Sequence, residues 1–329
     1  MLSRLIYAPE YDFGVLGLER LHPFDARKFS KAWQHLRAKF GEMLSGKTTL
    51  VDRAVNDVEL SLVHTHAYLQ SLSASANIAK VVEVAPLKYL PAQVLCKGLV
   101  TPARYAVRGT LTAAREALEG ATVFNLGGGF HHAFADHGEG FCFFADAALA
   151  IEMMRHEARL RPGDSVIMID LDVHRGNGFF SFYEDDSTVG MFDLYNMQIY
   201  PGLKDDPDDR FPFVIPMRSG LGSKAYLDLL MTELPRFLEA YSTPKLAFYN
   251  AGTDILSTDK LGSLDVDFAA VMQRDRYVVD ALRQRNIPVV IMSSGGYSAD
   301  SYRLIVELAT HVLGLDTASP ATALKTSTL

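Results

Sequence analysis

Two textures of apolar and polar positions alternate along this chain. Short, nearly unbroken runs of β-branched and aliphatic residues read as strands buried on both faces; longer stretches with apolar residues at helical spacing read as helices. The runs span residues 4–8, 122–126, 166–170, 189–194, 211–217, 246–250 and 288–292. Helical spacing is carried by Phe29, Trp33, Leu36 and Phe40 after the opening His22-Pro23-Phe24-Asp25, and by Val107, Leu111, Ala114 and Leu118 up to Gly120. It returns over residues 145–159, 224–241, 267–285 and 299–313, while residues 56–84 hold short helical patterns and 85–101 read as a loop-rich connection with Pro86 and Pro91. Strand and helix alternate with neither a proline- or glycine-rich linker nor an internal repeat. That predicts an α/β fold, a single doubly wound domain around a central, mostly parallel sheet, over residues 1–315. Residues 316–329 are small and polar and are expected to form a flexible C-terminal tail.

Val166-Ile167-Met168-Ile169 ends abruptly in Asp170-Leu171-Asp172-Val173-His174, followed by Arg175-Gly176-Asn177-Gly178. With period two along an extended chain, Asp170, Asp172 and His174 can project to one side together. Open α/β sheets bind ligands at the carboxyl ends of their strands, so other strands are expected to deliver chemistry to the same edge. The run 122–126 leads into Gly127-Gly128-Gly129-Phe130-His131-His132, the run from Leu246 ends in Gly252-Thr253-Asp254, and the run from Pro288 ends in Ser293-Ser294-Gly295-Gly296-Tyr297. Each taken alone has a structural explanation, such as a helix cap or ordinary packing. Their joint arrival at one edge points to a catalytic site. The glycines lack a P-loop lysine and lead to a histidine pair, which argues against phosphate binding. His64 and His66 lie far from this cluster and are expected to be structural or surface residues.

Asp172, His174 and Asp254 supply three oxygen or nitrogen ligands and leave positions open for water and substrate, an arrangement that suits one Zn2+. Such an ion polarises an amide carbonyl and lowers the pKa of its water to about 7, so that a neutral imidazole can take the proton. His132 is the candidate base; His131 is the candidate partner oriented by Asp170, and Tyr297 the candidate oxyanion donor.

The chain is 48% apolar over 329 residues, ample for a substantial core, and its formal charge of −7 argues against nucleic acid as the main partner. Cys96 and Cys142 show no C-x-x-C spacing, which disfavours a disulfide framework or thiolate zinc site and suits a reducing cytoplasm. Neither a signal peptide nor a membrane span is expected. The acidic run at residues 205–209 reads as a solvated loop.

At these residues the sequence resembles the metal-dependent histone deacetylase family, within the arginase-deacetylase superfamily. Beyond the metal motif, Tyr7-Ala8-Pro9-Glu10-Tyr11, Leu21-His22-Pro23-Phe24-Asp25, Gly140-Phe141-Cys142, Tyr195-Asn196, Ile199-Tyr200-Pro201-Gly202 and Tyr249-Asn250-Ala251-Gly252-Thr253-Asp254 look most like its class IV branch. The resemblance implies an arginase/deacetylase-like fold and zinc-dependent hydrolysis of ε-N-acyl-lysine, and the roles given to the six residues above match position by position. It further implies a substrate tunnel walled by Phe141 and Tyr200, with Gly295 and Gly296 beside it and Leu261 near its mouth. A structural K+ site is implied too, with contacts from Asp170, Asp172, His174, Asp193 and Leu194, mainly through backbone carbonyls. Most of the family has an aspartate where Asn177 stands, whereas the class IV branch has asparagine. If Asn177 contacts His132, a neutral partner keeps that imidazole neutral to lower pH.

Arginase-like two-metal chemistry needs extra carboxylates, and Asp254 is followed by Ile255 and Leu256, so one catalytic metal is expected. Hydrolysis of acylpolyamines or other small amides uses the same zinc chemistry and stays open. So does the acyl group, acetyl or a longer fatty chain, together with the oligomeric state. A non-catalytic acyl-lysine-binding scaffold would have no need of the base and the oxyanion donor.

Overall fold

A computed structural model describes residues 2–15, 17, 26–202 and 211–315. The Leu21-to-Asp25 motif, the acidic run at 205–209 and the 316–329 tail therefore lie outside the described residues. Among the described residues there are eight strands: β1 (Leu2–Tyr7), β2 (Thr48–Leu50), β3 (Ala121–Asn125), β4 (Val166–Asp170), β5 (Val189–Asn196), β6 (Val214–Met217), β7 (Leu246–Asn250) and β8 (Val289–Met292). They form one sheet in the order β2-β1-β3-β8-β7-β4-β5-β6. Every pairing is parallel.

The near-continuous apolar runs become the strands that are buried along their whole length, β3, β8, β7, β4 and β5. Burial falls at the two edges, β6 and β2. β6 contains Pro216, which has no N–H to donate, and it pairs only with β5. β2 is a three-residue edge strand that no periodicity reveals. Thr101–Ala117 and Ser301–Val312 both pack on β1 and β3, the former beside Asp146–His156 and the latter beside Lys28–Phe40 and Phe268–Gln284. Helices therefore cover both faces of the sheet, as a doubly wound architecture requires.

One stretch departs from the sequence expectation. Residues 85–101 are helical rather than loop-rich: a 3-10 turn at Ala85–Tyr89, a helical turn at Ala92–Leu95 and a π-helical turn at Cys96–Val100 run directly into Thr101–Ala117. Pro102 explains the π turn. Its missing N–H and its ring would disrupt a regular helix against residue 98, and a wider turn accommodates both.

Register sets the position of the functional groups. Asn125 lies opposite Met292, Met292 opposite Asn250, Asn250 opposite Asp170 and Asp170 opposite Asp193. Four adjacent strands, β3, β8, β7 and β4, thus end in one row that β5 crosses at Asp193, and the loops that leave this row carry the candidate chemistry.

His64 is structural. Its ring is 3% exposed, packs against Tyr68 and Phe144, and accepts a hydrogen bond at Nε2 from the Ala145 N–H at 3.0 Å. Burial pushes its pKa down to about 4 from the ordinary 6.5. The unfolded chain then binds a proton that the folded chain refuses, so stability is complete above pH 6.5 and falls as the pH drops towards 4. About 3 kcal/mol should be lost on this account. Urea denaturation at neutral and acid pH should show a smaller acid-side loss in His64→Gln than in the parent; equal losses in both would refute the linkage.

Candidate active site

Loops leaving β4, β7 and β8 converge just beyond the row of strand ends. Asp172, His174 and Asp254 are all buried, and each offers one ligand atom within 4.8 Å of the others. His174 Nδ1 lies 3.0 Å from Asp172 Oδ1 and 3.3 Å from Asp254 Oδ2. The second oxygen of each carboxylate is held from behind. Asp254 Oδ1 accepts the Val173 N–H at 2.9 Å, while Asp172 Oδ2 accepts the Gly295 N–H at 2.8 Å and the Ser294 hydroxyl at 2.9 Å. Asp254 Oδ2 is buried without a hydrogen bond and faces the imidazole. Gly295 permits this closeness: a Cβ there would lie 2.3 Å from Asp254 Oδ2 and 2.4 Å from Asp172 Oδ2. Two carboxylates and one imidazole around a common point, with an orphaned oxygen aimed into it, fit a divalent ion with mixed oxygen and nitrogen ligands.

The three groups tune one another's proton affinity. Burial opposes charge on His174, but Asp172 and Asp254 push its pKa up to about 10. Burial and the neighbouring Asp172 raise Asp254 to about 7. A cation entering here displaces protons, so binding strengthens as pH rises.

The loop after β3 brings the histidine pair alongside, with ring centroids 4.1 Å apart. His131 Nδ1 is 2.8 Å from Asp170 Oδ2, and its Nε2 is 3.5 Å from Asp172 Oδ1. Burial disfavours its charge, yet Asp170 and Asp172 outweigh burial and raise its pKa to about 9. His132 behaves oppositely. Burial first, then the positive charge of His131 and His174, holds it well below 6.5. Its Nδ1 is 2.6 Å from Asn177 Oδ1, so Nδ1 carries the proton and Nε2 is left as the acceptor.

Comparison with known proteins places the chain in a family. The profile of the histone deacetylase domain matches residues 22–313. Over 307 residues the chain is 38% identical to histone deacetylase 2 of Arabidopsis thaliana, covering 92% of this chain and 76% of that protein. The chain belongs to the histone deacetylase family. It is also 32% identical over 208 residues to an uncharacterized Picosynechococcus protein, covering 63% of this chain and 67% of the other. The crystal structure of the HDA15 HD domain shares the fold, with a TM-score of 0.69 and 21% identity over 95% of this chain and 87% of that one.

In this family member, a cavity of about 340 Å³ opens from the site. His131, His132, Asp172, His174, Phe141, Gly295 and Tyr297 are among its lining residues. So are the apolar Phe13, Val15, Phe29, Val82, Val84 and Leu99. Burial together with the Asp172 and Asp254 carboxylates raises Tyr297 well above 10, so its hydroxyl keeps its proton. Tyr200, Gly296 and Leu261 are not among the lining residues. Tyr200 instead sets its ring edge-on to His132, with centroids 5.1 Å apart, and the Leu261 N–H donates to Asp259 Oδ1 at 2.9 Å. Of the residues expected at a potassium site, Asp193 leaves Oδ1 buried without a hydrogen bond, while its Oδ2 accepts the Gly176 N–H at 3.0 Å.

Several supporting residues escaped the sequence reading. Lys28 is fully buried and donates to the Ser294 carbonyl at 2.6 Å, at the start of the segment that carries Tyr297. Asp259 Oδ2 accepts the Tyr297 N–H at 2.6 Å and the Ser298 N–H at 3.1 Å, and Asp146 accepts the N–H groups of Gly129 and Phe130, both at 2.9 Å. Asn177 Nδ2 donates to Glu139 Oε1 at 2.7 Å, so a carboxylate stands one residue behind the neutral partner of His132. No local pattern marks a lysine or carboxylate whose partner lies across the fold.

Asn177→Asp would put a charge directly against His132 Nδ1 and should raise the imidazole pKa by about one unit or more. Titration of the His132 ring by NMR checks this; an unmoved midpoint would show that the contact does not govern its proton.

Proposed function

We propose that the protein is a zinc-dependent deacylase of ε-N-acyl-lysine, with Zn2+ held by Asp172, His174 and Asp254. The bound ion supplies Lewis acidity to the amide carbonyl and acidifies water. His132, neutral and with Nε2 unprotonated, takes the proton of the attacking water. Tyr297 donates its hydroxyl to the developing oxyanion, and His131, kept positive by Asp170, stabilises the same charge. The proton held by the histidine pair passes to the lysine amine as the C–N bond breaks. Water and amide thereby become carboxylate and free lysine.

The apolar cavity carries this reading furthest. Its lining is mostly apolar, and at about 340 Å³ it is larger than an acetyl group alone would fill. Each buried methylene contributes about 0.8 kcal/mol, or roughly fourfold in kcat/KM per added carbon while the chain still fits. We therefore assign a preference for longer fatty acyl groups over acetyl. Asn177 and the motifs around Tyr195-Asn196 support a class IV-like member, with residues 1–315 as the catalytic unit. The orphaned Asp193 Oδ1 supports a structural K+ among Asp170, Asp172, His174, Asp193 and Leu194. Cys96 and Cys142 are both free thiols, which supports a reducing, cytoplasmic setting.

Turnover of one lysine peptide carrying acetyl, butyryl, decanoyl or myristoyl groups, followed by mass spectrometry with zinc added, tests the proposal. Longer chains should react faster. A preference for acetyl would overturn the acyl assignment, and no turnover of any peptide would favour a small-molecule amide. Tyr297→Phe should lower kcat by about 10²–10³ while peptide binding persists; binding unaffected by the substitution with no turnover in the parent would point to a scaffold instead.

A further inference from the structure

Arg274 is 0% exposed, on the helix Phe268–Gln284, and its guanidinium forms an ion pair with the adjoining Asp275: Nε and Nη2 are each 2.8 Å from Oδ1. Tyr249, in β7, donates its hydroxyl to the same carboxylate. An ion pair by itself does not repay such burial, because stripping water from both charges costs as much as their attraction returns. The remaining nitrogen shows what the burial achieves. Nη1 donates to the Leu171 carbonyl at 3.0 Å and to the Gly252 carbonyl at 2.7 Å.

Leu171 immediately precedes Asp172, and Gly252 lies two positions before Asp254. One nitrogen thus ties together the two loops that carry the carboxylates of the cluster. The loops are already in tight contact at this point, since a Cβ on Gly252 would sit 2.6 Å from the Asp172 Cα. The planar fork of arginine holds Asp275 on one side and presents Nη1 to both carbonyls on the other, a geometry that a lysine ammonium does not reproduce.

We propose that Arg274 is a positioning residue of the metal site, fixing the separation of Asp172 and Asp254 through the carbonyls of Leu171 and Gly252. This rests on the reading of Asp172, His174 and Asp254 as metal ligands. Asp275 orients the guanidinium and offsets its charge without touching either loop carbonyl. Outer partners of this kind typically change metal affinity by about 10- to 100-fold.

The test measures the zinc dissociation constant of the purified full-length protein by competition with a chromogenic chelator, and the melting temperature of the metal-free form. Arg274→Lys should weaken zinc binding at least about tenfold. Asp275→Asn, which leaves Nη1 able to reach both carbonyls, should lower the melting temperature with zinc affinity preserved. If Arg274→Lys does not fold, Arg274→Met combined with Asp275→Leu removes both charges together and carries the same comparison. Unchanged zinc affinity in the folded arginine variant, or equal losses of affinity in the arginine and aspartate variants, would overturn the proposal and leave a purely structural ion pair. His174→Ala separates the two layers: if it binds zinc as the parent does, the metal-site reading itself fails.

Discussion

Carboxylates crowd into a dry space at the carboxyl edge of the sheet: Asp170, Asp172, Asp193 and Asp254 are all buried there. Unpaired, each would cost several kcal/mol, and mutual repulsion adds to the cost. Most of what surrounds them can be understood as compensation. His131 and His174 take up positive charge beside Asp170, Asp172 and Asp254. Backbone N–H groups of Asp172, Val173, His174, Gly176 and Gly295 point at carboxylate oxygens. A divalent ion held by Asp172, His174 and Asp254, as proposed, would complete the balance.

The all-parallel sheet makes such crowding possible. Strands buried on both faces cannot slide by one residue without placing the wrong side chains in the core, so their ends stay in register. The row from Asn125 to Asp193 is rigid for that reason, and the loops beyond it begin from fixed points. Phe141 and Ser294, both at the cavity, adopt φ of 65° and 49°. The left-handed region costs a non-glycine residue about 1–2 kcal/mol, which neighbouring contacts must outweigh. For Ser294 these contacts are visible: its N–H donates to the Gly128 carbonyl, its hydroxyl to Asp172 Oδ2, and its carbonyl accepts from Lys28. The same residue therefore ties the β8 loop to the β3 loop, to a metal-ligand candidate and to the helix Lys28–Phe40.

Much of this was legible in the sequence, because it is written in local patterns. Continuous apolar runs announced the buried strands, and the alternation in Asp170-Leu171-Asp172-Val173-His174 placed three polar groups at one strand end. His131, His132, Asp254 and Tyr297 followed other runs, so their convergence required only that the strands be parallel neighbours. Local pattern failed where an element is short or where proline reshapes a helix: β2 has three residues, and the helical path through Cys96–Val100 bends around Pro102. Family resemblance, rather than local pattern, suggested Tyr200 and Leu261 for the tunnel; Tyr200 sets its ring edge-on to His132, and the Leu261 N–H donates to Asp259 Oδ1.

The sequence by itself thus determined the strand runs, a mostly parallel sheet and the identities of the candidate reactive side chains, since each follows from patterns a few residues long, whereas the order of the strands comes from the fold. Tertiary structure alone decided how those side chains are charged and held. Lys28 meets the Ser294 carbonyl 266 positions away, Arg274 meets the Leu171 carbonyl 103 positions away, and Asn177 links His132 to Glu139. Hydrogen bonds and burial act over a few ångströms of space regardless of separation along the chain, so only the folded arrangement reveals which lysine, arginine or carboxylate serves the site.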